Sequence, residues 1–324
     1  MANAIIIRDY GGSDVLKLEP IDLGDPKSDE IRIRQTAIGV NYHDVYVRSG
    51  LYKTLALPGI PGCEATGVVE AVGADVQGLK AGDRIAYVTG TYGAYASHRV
   101  LPAGLAVPLP DGVADTVAAS NLLRAMTVEM LTAKVARVEA GMTILVHAAA
   151  GGVGKMLCQV LASLGVTVIG TVGSSAKAEV AQANGCAFTV LYREVPFEKA
   201  VMDITGGAGV DVIYDSVGAD TFAGSLEVLR TCGHLVNFGQ SSGPVDPLTM
   251  ATLAAKSLTV SRPILFHYLA SSDTYQAMAT RVFDKFAAGI LNAAEQTPVA
   301  LKDAGAAHDT LENMTGGGSL VLIP

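Results

Sequence analysis

Between Val153 and Leu164 the apolar residues Val153, Met156, Leu157, Val160, Leu161 and Leu164 recur at i, i+3, i+4, i+7, i+8 and i+11. That spacing predicts a helix with one face against a sheet. Runs rich in Val and Ile at Thr143 to Ala148 and Val166 to Val172 predict strands on either side. The pattern continues with a helix around Ala176 to Asn184, a strand at Val210 to Asp215, a helix at Thr221 to Leu229 and a strand at His234 to Phe238. Strand and helix taking turns predict a parallel α/β domain. An Ala/Leu/Met-rich helical segment, Leu122 to Ala136, leads into it.

The first third has a different texture. Short Val/Ile/Thr runs at Glu30 to Thr36, Thr66 to Val72 and Arg84 to Val88 are divided by turn signals such as Val72-Gly73-Ala74-Asp75 and Lys80-Ala81-Gly82-Asp83. They predict a twisted β-rich domain. After Arg262-Pro263 the pattern turns irregular, before a helix near Asp273 to Ala288 and a final strand at Ser319 to Ile323. This tail is expected to rejoin the first domain.

A chain of 324 residues exceeds what one core usually organises, in keeping with two domains. Its net charge of −8 argues against nucleic acid and anionic membranes as main partners. No apolar stretch approaches the roughly 18 residues of a membrane span. Ile5-Ile6-Ile7 is too short for a secretory signal, so it predicts a first strand in a cytoplasmic protein. Cys63, Cys158, Cys186 and Cys232 are scattered, which fits reduced thiols rather than a disulfide framework or a CxxC metal site. Charged residues make up only 17%, below the roughly 25% of ordinary domains, so buried surface between subunits is expected.

The most informative element is Ala148-Ala149-Ala150-Gly151-Gly152-Val153-Gly154, which follows a strand and opens a helix. Small residues there let the backbone approach a pyrophosphate, which the helix N-terminal N–H groups and dipole attract. Ala149 stands in place of the first glycine of the dinucleotide fingerprint. An NAD site usually carries Asp or Glu about 20 residues on, yet no acidic residue lies between Glu139 and Glu179. Gly173, Ser174, Ser175 and Lys177 stand there instead, supplying hydroxyls and a cation for a 2′-phosphate. NADPH is therefore the expected cofactor, although Ser174 and Ser175 can also cap the following helix.

Other motifs fail. Ala149 to Lys155 misses the Walker A loop because Ala opens it and Met156 replaces the Mg²⁺-binding Ser/Thr. Gly239-Gln240-Ser241-Ser242-Gly243 matches GxSxG, but Pro244 and Pro247 oppose the required helix, so Ser241 reads as a loop residue. No Tyr is followed four residues later by Lys, the proton-transfer pair of short-chain reductases.

Asn41-Tyr42-His43-Asp44-Val45-Tyr46-Val47-Arg48-Ser49-Gly50-Leu51-Tyr52, Pro61-Gly62-Cys63-Glu64-Ala65-Thr66-Gly67, the glycine turn and Asp215-Ser216-Val217-Gly218 occur in this order along the chain. Together they resemble the zeta-crystallin-like quinone oxidoreductases of the medium-chain dehydrogenase/reductase superfamily. The resemblance implies an α/β fold in which residues 1–122 and 264–324 form a GroES-like catalytic domain and residues 123–263 a doubly wound Rossmann domain. It also implies a homodimer. Cofactor contacts carry over to Asn41, Tyr46, Gly152, Gly173, Lys177, Tyr192, Ser216 and Phe238, with Ile264, Leu265 and Phe266 closing the nicotinamide side. Lys177 and Tyr192 would meet the 2′-phosphate. Thr127, Ala150, Gly151, Val153, Gly154, Ser174, Gly239 and Gln240 complete the candidate set.

Zinc-dependent relatives hold their ion with a Cys, a His-Glu pair and a later Cys; here Asn41 and Cys63-Glu64 occupy the first two places and the third Cys is missing. No metal is expected. Without a Lewis acid an alkoxide loses its stabilising charge, so electron-poor acceptors become the sensible substrates. The expected activity is zinc-independent, NADPH-dependent hydride transfer to a quinone, with Asn41, Tyr46 and Tyr52 orienting the ring or stabilising oxyanion character. Ordinary packing is the alternative for the two tyrosines. An activated alkene, enone or alkenal would use the same hydride geometry. A nucleotide-binding structural or RNA-binding role, as in some zeta-crystallin relatives, is the alternative of a different class.

Overall fold

The computed structural model describes residues 2–313 and 318–324. Strands β1 (Ala2–Ile6) and β2 (Lys17–Ile21) pair antiparallel. In β3 (Glu30–Gly39), Ile31 and Ile33 are buried while Arg32 and Arg34 are more exposed, the period of two that a half-buried strand imposes. Helix α1 (Tyr42–Ser49) follows, then β4 (Glu64–Val72), β5 (Arg84–Val88), β6 (His98–Pro102) and β7 (Val107–Pro108). Helix α2 (Asp115–Met130) begins earlier than the expected Leu122 and ends in a π-helical turn at Leu131–Val135.

The alternating region comprises β8 (Thr143–Val146), α3 (Gly152–Ser163), β9 (Thr167–Val172), α4 (Ser175–Ala183), β10 (Phe188–Leu191), α5 (Phe197–Ile204), β11 (Val210–Asp215), α6 (Phe222–Val228), β12 (Leu229–Asn237), α7 (Met250–Ala254), β13 (Thr259–Ser261) and α8 (Leu265–Tyr268). Its six strands pair in parallel in the order β10-β9-β8-β11-β12-β13. Counted from β8 this is 3-2-1-4-5-6, the doubly wound order that binds dinucleotides where strand direction of travel reverses, here between β8 and β11. The predicted strands and helices of this region are all present. β10, α5, α7, β13 and α8 are additions to the elements the sequence predicts.

The chain closes with α9 (Ser272–Ala287), β14 (Gln296–Ala300), α10 (Ala304–Glu312) and β15 (Ser319–Ile323). β15 lies parallel to β14 and antiparallel to β3, so the last strand does return to the first sheet. That sheet has seven strands, β14-β15-β3-β4-β5-β7 with β6 also on β3.

The chain divides into two compact units, Met1–Leu123 with Leu269–Phe283 and Ala293–Pro324, and Arg124–Tyr268 with Asp284–Asn292. Each has its own core. Ile5, Ile31, Ile33, Ile38, Ile85, Tyr87, Tyr95 and Leu322 anchor the first; Leu145, Ile169, Val201, Ile213, Phe222 and Leu235 anchor the second. On α3, Leu157 and Leu161 are fully buried, as their period predicts, and truncating either to Ala costs about 2–5 kcal/mol. Among the described residues no helix is long and apolar enough to cross a membrane.

Candidate functional site

The glycine turn of the second unit sits between the end of β8 and the start of α3. Ala148 takes a left-handed conformation, φ 52°, and Gly151 caps the helix with extended backbone. The N–H groups of the first turn have no partner within the helix, so they and the dipole present positive charge to an anion. At Gly154 a Cβ would lie 2.3 Å from the Ala148 carbonyl oxygen, which no side chain can accept. Helix and strand end therefore close on each other only because this residue is glycine, the role the third fingerprint glycine plays. Ala149 is fully buried and its N–H bonds the Thr171 carbonyl at 3.1 Å, so alanine serves in the fingerprint's first place.

Two cations beside this turn escaped the sequence reading. A Cβ on Gly152 would lie 3.0 Å from Arg124 Nε, which places that guanidinium against the helix start. Burial and the charge of Arg124 lower the Lys155 pKa. Arg124 is far from the glycines in sequence and carries no motif signal; Lys155 stands out only as part of a failed Walker loop. Thr127 lies one turn further along α2, half-buried.

At the end of β9, Ser174 caps α4, its hydroxyl accepting the Lys177 N–H at 3.4 Å. The capping role coexists with the exposed Lys177 side chain. A Cβ on Gly173 would lie 2.9 Å from the Tyr192 hydroxyl and 3.4 Å from Arg193 Nε. The structure thus brings Gly173, Ser174, Lys177 and Tyr192 to one corner and adds Arg193, a second cation. Its only sequence signal was adjacency to Tyr192.

Across the switch point, Asp215 ends β11 fully buried. Its Oδ1 accepts the N–H groups of Val217 and Gly218 at 2.8 and 3.2 Å, and its Oδ2 the Asn237 amide at 3.1 Å. These bonds hold the Ser216 turn against the end of β12, where the Phe238 N–H bonds the Asp215 carbonyl at 2.8 Å. Gly239 is buried, Gln240 half-buried, and Ser241 lies in a loop. Leu265 is buried, Phe266 half-buried and Ile264 48% exposed, all within the second unit. His147 bonds Thr171 and Ser225, each at 2.9 Å, and burial lowers its pKa to about 4, which marks it as a structural residue.

In the first unit Asn41 caps α1 and is 4% exposed. Its N–H donates to Asp44 Oδ2 at 2.9 Å and its side-chain amide to Glu64 Oε1 at 2.7 Å. Glu64 Oε2 accepts the Leu123 N–H at 2.8 Å. Behind α1 a buried network continues: the Tyr95 hydroxyl donates to Asp44 at 3.2 Å and lies 3.0 Å from His308 Nε2, and His308 Nδ1 lies 3.4 Å from Arg48. Arg48 forks onto Glu312 at 2.8 and 2.9 Å. Arg48 can only donate, so His308 Nδ1 accepts and Nε2 carries the proton.

On α1 and beyond, the Tyr46 and Tyr52 rings meet at 4.9 Å, with Tyr42 edge-on to Tyr46 at 5.2 Å. His43 stacks on Tyr92 at 5.9 Å and reaches its hydroxyl at 3.3 Å; burial lowers its pKa to about 4. Cys63 is buried, and burial with the nearby Asp44 and Glu64 charges pushes its thiol far up. Among the described residues no three His, Cys, Asp or Glu side chains group so as to hold a metal ion.

The description "Alcohol dehydrogenase GroES-like domain" matches residues 27–111, and "Zinc-binding dehydrogenase" residues 152–284. The chain is 40% identical to a quinone oxidoreductase of Salmonella typhimurium, with 100% of each covered. It is 37% identical to a 2-haloacrylate reductase of Burkholderia, covering 100% of this chain and 99% of that protein. The crystal structure of Escherichia coli quinone oxidoreductase complexed with NADPH superposes with a TM-score of 0.95 at 38% identity, over 99% of this chain and 100% of that one. A GroES-like sheet, a Rossmann sheet and full-length identity of this order lead to one conclusion: the chain belongs to the quinone oxidoreductase family of the medium-chain dehydrogenase/reductase superfamily.

Proposed function

We infer that this protein is a zinc-independent, NADPH-dependent oxidoreductase that transfers hydride to a quinone. The observation that carries this reading is the glycine turn closed by Gly154 beside a cationic, carboxylate-free corner at Gly173, Ser174, Lys177, Tyr192 and Arg193. Bound NADPH supplies the hydride. The α3 N-terminus, with Arg124 and Lys155 near it, meets the pyrophosphate; Lys177 and Tyr192 meet the 2′-phosphate. Thr127, Ala150, Val153, Ser216, Phe238, Gly239, Gln240 and residues 264–266 shape the rest of the cofactor site.

Asn41, held through Glu64 where zinc-dependent relatives place a cysteine ligand, orients the nicotinamide side as an uncharged donor. Tyr46 and Tyr52 position the acceptor and offer hydroxyls to charge developing on its oxygen. The first unit is taken as the catalytic domain and the second as the cofactor domain. The low charged fraction supports a homodimer, and four free cysteines support a cytoplasmic setting.

A second reading, reduction of an activated alkene, is favoured by the likeness to a 2-haloacrylate reductase. The test is NADPH and NADH oxidation against a panel of quinones, enones and aldehydes, with and without chelator. Preference for NADPH with quinones, unaffected by chelator, is the expected result. Faster turnover of enones or haloacrylates moves the substrate to the second reading, and chelator-sensitive activity on aldehydes overturns both.

A further inference from the structure

Two thiols outside this machinery face each other. Cys158, on α3, and Cys186, in the turn between α4 and β10, have Sγ atoms 3.3 Å apart and are both buried. Room is made for them: at Gly170 on β9 a Cβ would lie 2.6 Å from Cys186 Sγ and 2.6 Å from the Ala149 side chain. At Gly185 it would lie 2.9 Å from the Cys158 carbonyl oxygen. The Gln159 side-chain amide donates to Asn184 Oδ1 next door, so α3 and the turn are already pinned within two residues of the sulfurs.

An open cleft of about 580 Å³ runs along this seam, lined by Gln159, Ala162, Asn184 and Gly185 among others. It reaches Gln159 and Gly185, the immediate neighbours of the two cysteines. The thiols also differ in exposure: Cys186 is 6% exposed and Cys158 fully buried. Cys186 is therefore the thiol a peroxide meets first, and Cys158 the partner that resolves it.

We propose that Cys158 and Cys186 form a peroxide-responsive dithiol that closes to an intramolecular disulfide, tying α3 to the α4–β10 turn. The Cys186 thiolate attacks one peroxide oxygen, the O–O bond breaks, and a sulfenic acid and hydroxide result. Cys158 sulfur then attacks the sulfenic sulfur, its proton and the departing hydroxyl leaving as water. In sum two thiols lose two electrons and hydrogen peroxide becomes two waters. The sulfurs need only close from 3.3 Å to about 2.05 Å. Because α3 begins in the glycine turn, drawing it toward the seam weakens coenzyme binding; this consequence rests on the NADPH reading above, whereas the disulfide does not.

The test uses the full chain carrying Cys232→Ser, which removes the exposed thiol. After hydrogen peroxide, denaturation and alkylation, mass spectrometry should find the Cys158 and Cys186 peptides joined, the link lost with dithiothreitol, and Cys63 alkylated. Fluorescence titration should show NADPH held about threefold or more weakly in the oxidised form, reversibly, with Cys158→Ser insensitive to peroxide. Full alkylation of both cysteines after peroxide, or sulfinic acid without a link, overturns the dithiol. A complete link with unchanged NADPH affinity overturns its coupling to the coenzyme. Failure of the reduced protein to bind NADPH overturns the coenzyme reading and leaves the mass measurement to decide the disulfide.

Discussion

Asn41 and Glu64 are buried partners, the amide of one donating to the carboxylate of the other at 2.7 Å. Since Glu64 also accepts the Leu123 N–H, one carboxylate secures both the start of α1 and a point on α2. Glu64→Ala leaves two buried donors without this acceptor and should lower stability by about 2–4 kcal/mol. Glu64→Gln retains an acceptor and should recover part of that loss. Urea unfolding of both variants checks the order; equal stability of Glu64→Ala and wild type would remove Glu64 from the framework.

Acid should destabilise the native state through three histidines, His147 and His308 buried and His43 partly so. Burial lowers His43 and His147 to about 4; burial, then the Arg48 charge, lowers His308 to about 3. Unfolded, each binds a proton near the ordinary value of about 6.5. The unfolded state therefore binds more protons below that pH, and stability falls as pH drops from about 6.5 toward 4, by up to about 1.4 kcal/mol per pH unit for each histidine. For His308 the loss continues to about 3. Denaturant titrations at stepped pH should show a shallower slope for His308→Gln, and an unchanged slope would place its titration elsewhere.

Lys177 and Arg193 are proposed to meet the 2′-phosphate of NADPH and should matter little to a bound NADH. Lys177→Ala is expected to raise the KM for NADPH about tenfold, the scale of one charged hydrogen bond at an exposed position, with little change for NADH. Arg193→Ala should act in the same direction. Steady-state kinetics with both coenzymes measure the ratio, and parallel losses with NADH would detach these residues from phosphate recognition.

The β8–α3 crossing was legible because its information is local: an apolar period of about three turns and a glycine spacing lie within some twenty consecutive residues. Ser174 and Lys177 followed from the same stretch. The network Arg48–His308–Tyr95 was not, since it joins residues 260 and 213 positions apart whose identities say nothing of each other until β15 returns to β3. Arg124 and Arg193 carry no motif signal for a similar reason; only the positions of Gly152 and Gly173 reveal what they face. Helix α5 went unnamed although Phe197 and Val201 form a buried i, i+4 pair, because its eight residues offer barely two turns of pattern. α10, with nine residues, carries small alanines rather than large apolar residues.

The pairing of β15 with β3 sets a timetable for synthesis. All six strands of the second unit's sheet fall between residues 143 and 261, so that sheet has its full complement of strands as soon as this stretch leaves the ribosome. The first unit's central β3 emerges early but must wait for residues 319–323, roughly 15–60 s later at ordinary elongation rates. Through that interval Ile38 and its neighbours lack one flank of their sheet, which makes the earlier-made half of the molecule the one in greater need of a chaperone.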